Sequence, residues 1–344
     1  MRRPTRRSGR RPALSPEPPA ATRTLFFGSG SFGVPILDAL VDDPEVLVVG
    51  VVTVGRPADD RGHREAQTPV ALRAAERGLT VLAPPSLRDA ATVDRIVGMK
   101  ATLGVLADYG RIVPQTLIAR FERGILNVHP SLLPRWRGAS PIAATIAAGD
   151  EQAGVSIIAM DAGIDSGPIV AAAGWAMLGD EDTPSLRAIA AERGATLLRR
   201  TLGPWTRGEI EARPQSEELA TMTRPLTREA GRLDPTCPAA SLERLVRALR
   251  PWPACHLETA VGRLIVWVAR TSDSRPSDRP GTIVGDAGTL ALATTTGRLV
   301  LDEVQPAGGR RMSGPELLRG RGRSLPGTEV IAARTMVEPW MNTG

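Results

Sequence analysis

The 344-residue sequence is poor in cysteine, histidine and lysine. Two cysteines, Cys237 and Cys255, are too few for a disulfide framework, and their spacing suits no metal, so a reduced, intracellular protein is expected. The histidines are His63, His129 and His256, and no metal-binding cluster is expected from them. No apolar run approaches the roughly 18 residues that span a bilayer, which predicts a soluble protein with no membrane partner. Lys100 is the single lysine, while Ala, Arg, Gly and Pro are abundant, the bias of a GC-rich bacterial genome.

The formal charge of +6 is concentrated at one end. "MRRPTRRSGRRPALSPEPPA" holds six arginines against Glu17, and the remainder is close to neutral. A nucleic-acid partner therefore cannot be argued from net charge, and local patches must carry that argument. Residues 1–22 have almost nothing to bury and read as a disordered tail. The tail lacks the apolar segment of a secretory signal, and its prolines spoil the amphipathic helix of a mitochondrial transit peptide, the alternative location.

From residue 23 to 207, β-branched runs alternate with helical patterns. The strands are "TLFF", "VLVVGVVTV", "LTVLAP", "ATLGVLA", "GILNVHP" and "AGVSIIAMD". This order predicts an α/β fold, a Rossmann-like, mostly parallel sheet covered on both faces, with its ligand beyond the strands' carboxyl ends. Residues 208–226, rich in turn formers and charge, read as a linker. Residues 227–335 give one amphipathic helix, "SLERLVRALRPWP", then about five short strands, predicting a small OB-like β-barrel domain. Residues 336–344 read as a tail.

The turn "GSGSFG" places Gly28, Gly30 and Gly33 in G-x-G-x-x-G spacing between a strand and a helix. A dinucleotide site also needs a carboxylate, or an arginine for the phosphorylated cofactor, at the end of the second strand. That strand ends in Val54, Gly55 and Arg56 with no carboxylate at the expected place, and against the dinucleotide reading stands a plain, tight strand-to-helix connection.

The informative stretch is "GILNVHPSLLPRWRGASPI", followed by "MDAGIDSGPIV". Asn127 and His129, two apart on a strand, point to the same face at its carboxyl end. A second strand ends in a glycine-flanked loop carrying Asp161 and Asp165. An amide and an imidazole are suited to a tetrahedral oxyanion, and a neighbouring carboxylate orients the imidazole. No serine or cysteine nucleophile is positioned by motif, which favours direct transfer to an amine. Against this stands the structural role that a lone histidine and turn-capping Asn or Asp residues ordinarily have.

These two motifs, in order and spacing, closely resemble the folate-dependent formyltransferases. Over nearly the whole chain the likeness is to the branch that formylates methionyl initiator tRNA, through "LFFGSGSFGVPILDALV", "DYGRIVP", "LVRALRPWPACHLE" and "VQPAGGRRMSGPELL". The resemblance implies that Asn127, His129 and Asp165 form the catalytic triad. It implies that Ser131, Leu132, Leu133 and Pro134 contact tetrahydrofolate, and that 10-formyltetrahydrofolate donates the formyl group without metal or dinucleotide. A cytoplasmic, monomeric enzyme is expected. The alternative is another formyltransferase of this kind with a nucleotide or sugar-amine acceptor, or an inactive folate- or RNA-binding module.

Two departures stand out. Asp108 occupies the position before Tyr-Gly where the family has a small residue, close to the expected folate pocket. The loop after the second strand keeps Arg56, Arg61 and Arg64 for tRNA contact but adds Asp59, Asp60 and Glu65, weakening its attraction for phosphate. In the barrel region, Arg310, Arg311, Arg319, Arg321 and Arg323 form a second basic cluster.

Overall fold

The computed structural model describes residues 21–55, 67–286, 288–331 and 340–342. The predicted tail through residue 20 and the loop carrying Arg56, Arg61 and Arg64 lie outside them.

The first part of the chain runs β1 (Thr22–Gly28), α1 (Gly33–Val41), β2 (Val46–Val52), α2 (Pro69–Glu76), β3 (Val81–Leu82), α3 (Ala90–Gly98) and β4 (Leu103–Ala107). It continues with α4 (Gln115–Ile118), β5 (Ile125–His129), β6 (Arg137–Gly138), α5 (Pro141–Ala148), β7 (Gln152–Ala159), β8 (Ile169–Ala176) and the long α6 (Thr183–Thr206). Seven strands form one sheet in the order β3-β2-β1-β4-β5-β7-β8. The first five are parallel, whereas β7 is antiparallel to both β5 and β8. The expected mostly parallel sheet is therefore present, with an antiparallel edge.

Central strands β4 and β5 are buried along their whole length, because helices cover both faces. The period of two divides β5 between two cores. Leu126 and Val128 join the cluster packed under α1 and α6, while Ile125 packs with Phe27, Tyr109 and Phe121 on the other face. Asn127 and His129 have the parity of Ile125, at the strand's carboxyl end. Edge strand β8, "IVAAAGWA", alternates half-buried and exposed residues and was not among the expected strands. Its Ala and Gly residues give no β-branched signal.

Beyond α6 come β9 (Met222–Thr223), α7 (Ala239–Ala248), β10 (Cys255–Thr259), β11 (Gly262–Ser272), β12 (Ile283–Asp286), β13 (Thr289–Ala293) and β14 (Arg298–Pro306). These are followed by β15 (Met312–Ser313), α8 (Gly314–Arg319) and β16 (Met341–Asn342). The antiparallel order β10-β11-β14-β13-β12 makes the curled OB-like sheet. The chain near residue 330 ties its two edges: Val330 N donates to Gly281 O, and Ile331 N to Glu258 O, both at 2.8 Å.

Two expectations change. The core of this sheet is continuous with α5, whose Ile142, Ala143, Ile146 and Ala147 pack in one cluster with Leu242, Val246 and Leu264. Helix α5 is apolar on all sides and buried from Pro141 to Ala147, so it needs a partner on each face. The predicted tail at 336–344 instead contains β16, which pairs with β9, and β9 pairs with β6.

Candidate active site

Strand β5 lies between β4 and β7, with Asn127 opposite Leu106 on one side and Ile158 on the other. Asn127 is 6% exposed and His129 5%. The third residue arrives on the loop after β7, where Asp161 accepts from Gly163 N at 3.0 Å and Ser166 Oγ at 2.9 Å. That loop puts Asp165 at φ +50°, a left-handed conformation uncommon for residues with a Cβ, although Asp tolerates it better than most.

The three predicted catalytic residues meet. Asn127 Nδ2 donates to Asp165 Oδ1 at 2.9 Å, and Asp165 Oδ2 lies 3.6 Å from His129 Nδ1. Gly138 N donates to the same Oδ2 at 2.9 Å, so both carboxylate oxygens are held by N–H donors. His129 Nε2 is 2.9 Å from Trp136 O. A carbonyl only accepts, so Nε2 carries a proton and Nδ1 is the ring nitrogen available for proton exchange. An amide has two N–H donors, so Asn127 retains one beyond that given to Asp165.

The bend from His129 to Trp136 is rigidly packed. Ser131 Oγ donates to Arg135 O at 2.6 Å. Leu133 N donates to Ser156 Oγ at 3.0 Å, whose own hydroxyl donates to Ser131 O at 2.8 Å. Asp150 accepts from Arg135 through two bonds of 3.0 and 2.7 Å and from Trp136 Nε1 at 2.7 Å. Trp136 is 1% exposed and has φ +61°, which turns its carbonyl toward His129.

Of the predicted folate-contacting residues, Ser131 and Leu133 are buried. Leu132 leaves no room for a Cβ on Gly154, and Pro134 O accepts from Thr221 N at 3.3 Å. A cavity of about 170 Å³ opens instead beside Asn127 and Asp165. Leu106, Ile112, Val113 and Ile158 form its apolar walls, with Arg111 and residues 160–165 at its border. These residues were not assigned to the site from sequence, although "DYGRIVP" and "MDAGIDSGPIV" had marked both segments. A larger cleft, about 620 Å³, lies among α1, α2 and α6. None of the triad lines it, and its Asp38 is paired with Arg73 at 2.9 Å.

Asp108 lies against the glycine turn. Its side chain occupies the space a Cβ on Gly30 would need, and Arg187 Nη1 is 3.1 Å from its Oδ2. Ser29 N and Gly30 N both donate to Asp108 O, at 3.0 and 3.1 Å. The amides of Ser29 and Gly30 are thus engaged by the protein rather than free to meet an anion.

The expected linker also reaches the site. Gln215 Nε2 donates to Asp165 O at 2.8 Å and Gly167 O at 2.7 Å. Buried Arg137 donates from Nε to Gln215 Oε1 at 3.0 Å and from both terminal nitrogens to Glu217 at 2.9 and 2.8 Å. That hydrogen-bonded pairing with Arg137 holds the Glu217 carboxyl below its ordinary value. Thr221 Oγ accepts from Trp136 N at 2.8 Å. Sequence reasoning missed these residues because no motif marks a contact across 50 or more positions.

A sequence profile of the family described as "Formyl transferase" matches residues 22–202, and "Formyl transferase, C-terminal domain" matches residues 225–322. The chain is 41% identical over 300 residues to the methionyl-tRNA formyltransferase of Roseiflexus castenholzii, covering 87% of this chain and 96% of that one. It is 40% identical over 312 residues to that of Halorhodospira halophila, covering 90% and 99%. Among solved structures, an N-formyltransferase from Helicobacter canadensis in complex with folinic acid and dTDP-3-aminofucose matches with a TM-score of 0.60. Its identity is 13%, over 81% of this chain and 98% of that one. HypX from Aquifex aeolicus in complex with tetrahydrofolic acid matches with a TM-score of 0.59 at 15% identity, over 90% and 49%. At such identities the structural matches show the fold alone.

Proposed function

The chain belongs to the formyl transferase family, and from that premise we propose that it moves the formyl group of 10-formyltetrahydrofolate to the α-amino group of methionyl initiator tRNA. The observation that carries this reading is the bonding of Asn127 and His129. Asn127 keeps one amide N–H and His129 its Nδ1 for the reaction, while the other amide N–H is fixed by Asp165 and Nε2 by Trp136 O.

The apolar walls beside Asn127 suit a flat heteroaromatic ring. About 170 Å³ accepts the head of the folate rather than the whole molecule, since drug-sized ligands usually need more than about 300 Å³. The residues around the cavity would grip that head, with residues 131–134 supporting the bend beneath it. The free amine forms a bond to the formyl carbon, and the bond from that carbon to the folate nitrogen breaks. Asn127's remaining N–H and the proton on His129 Nδ1 stabilise the negative oxygen between these events. The attacking nitrogen loses a proton and the leaving nitrogen gains one, with His129 Nδ1 and Asp165 as the relay.

The acceptor's polyanionic body would lie against Arg56, Arg61 and Arg64 and against the barrel's basic cluster. In that cluster Arg311 stacks 3.5 Å from the Trp267 ring centroid, and Arg321 and Arg323 are exposed. The reading puts the enzyme in the bacterial cytoplasm as a monomer. Incubating the full chain with 10-formyltetrahydrofolate and charged initiator tRNA should yield formylated methionyl-tRNA, and charged elongator tRNA should react poorly. If an amino-sugar nucleotide is formylated and the tRNA is not, the acceptor assignment is wrong.

A further inference from the structure

We infer that Gln215 is a positioning residue for formyl transfer, holding the loop that aims Asp165 at Asn127 and His129. The inference rests on the proposed reaction and adds a residue outside both catalytic motifs.

Asp165 has a left-handed backbone, which Asp reaches more readily than most residues with a Cβ but which still needs support from its surroundings. Gln215 reaches across from the segment after α6 and ties down both sides of the bend, binding the carbonyls of Asp165 and Gly167. Its orientation is unambiguous: two acceptors face its Nε2 and the Arg137 Nε–H faces its Oε1. Arg137 is itself 5% exposed and anchored to Glu217 by two bonds, which makes the clasp stiff.

The same segment holds the other half of the triad. Thr221 Oγ fixes Trp136 N, and Trp136 O fixes His129 Nε2. Strand β9 then pairs with β6, whose Gly138 N binds Asp165 Oδ2. Asp165 and His129 are therefore set in mutual register by one short stretch of chain. Misplacing a reacting group by about 1 Å can cost on the order of a hundredfold in rate.

The test uses the full-length enzyme and charged initiator tRNA, with Gln215→Glu as the isosteric variant. It keeps an oxygen toward Arg137 and replaces both donors facing the two carbonyls. The expected result is a kcat lowered roughly tenfold to a hundredfold. KM for either substrate should change by less than about twofold, with a wild-type melting profile. In an Asp165→Asn background the same substitution should cost less than about threefold further, because Gln215 acts through Asp165. Gln215→Leu should repeat the pattern, and if it fails to fold, Gln215→Glu decides. An unchanged kcat, a loss confined to KM, or full additivity with Asp165→Asn would overturn the inference. A wild-type enzyme that formylates no tRNA would overturn the proposed function itself, and this inference with it.

Discussion

Asn127 donates to Asp165 across 2.9 Å, joining the end of β5 to the loop after β7 through one hydrogen bond. The carboxylate orients the amide and lies beside His129 Nδ1, so the proposed mechanism has the three residues act as one unit. Replacing Asn127 or His129 with alanine should lower kcat by about 10²–10³, the usual cost of an oxyanion donor. Asp165→Asn should fall in the same range, and its combination with His129→Ala should be much less than additive. Near-normal turnover by folded His129→Ala would remove the mechanism.

A Cβ on Gly30 would collide with the Asp108 carboxylate, so the fold itself needs glycine there. Gly30→Ala would push its methyl into the Asp108 carboxylate and disturb the pair with Arg187, costing about 1–3 kcal/mol. Asp108→Ala in the same chain should recover part of that loss, measurable by denaturant unfolding. Calorimetry should detect no nicotinamide dinucleotide binding, and micromolar affinity would restore the discarded reading of the glycine turn.

Acid should loosen the barrel through Asp278. Arg298 Nε donates to its Oδ2 at 2.6 Å, and this bond holds the carboxyl below its ordinary value of 3.8. A depressed carboxyl contributes stability above its unfolded value and loses it as pH falls through the folded one. Asp278→Asn should therefore melt below wild type at neutral pH, and the gap should close as pH drops below about 3.8. A gap that stays constant into acid would refute the role of this pair.

Removing Arg56, Arg61 and Arg64 should weaken tRNA use and lower the salt dependence of binding by about one unit of slope per lost phosphate contact. Neutralising Arg321 and Arg323 should do the same, and folate binding should hardly change. If both sets leave affinity and salt slope intact, the tRNA docks elsewhere.

Much of the site was legible because β5 is regular. Two residues apart on a buried strand must share a face, so the spacing alone pairs Asn127 with His129. The glycine-flanked loop offers Asp161 and Asp165 alike, and only the resemblance to the formyltransferases implies Asp165. The cavity walls were less legible, since Leu106, Ile112 and Ile158 look like any core residues. The folate contact of residues 131–134 is implied by a motif alone, and the fold adds that Ser131 and Leu133 are buried in the bend. Gln215 and Thr221 were least legible, because turn-rich composition describes a free tether and a clasp equally well. Strand β8 is hard to read because Ala and Gly fill most of it after Ile169 and Val170.

The central claim is tested most directly by a single-turnover reaction with 10-formyltetrahydrofolate carrying a labelled formyl group and charged methionyl initiator tRNA. Wild type should move the label to the methionyl amine, and His129→Ala, folded and still binding folate, should move it on the order of a hundredfold more slowly. Label that stays on the folate with wild type, or that moves equally fast with His129→Ala, would contradict the account.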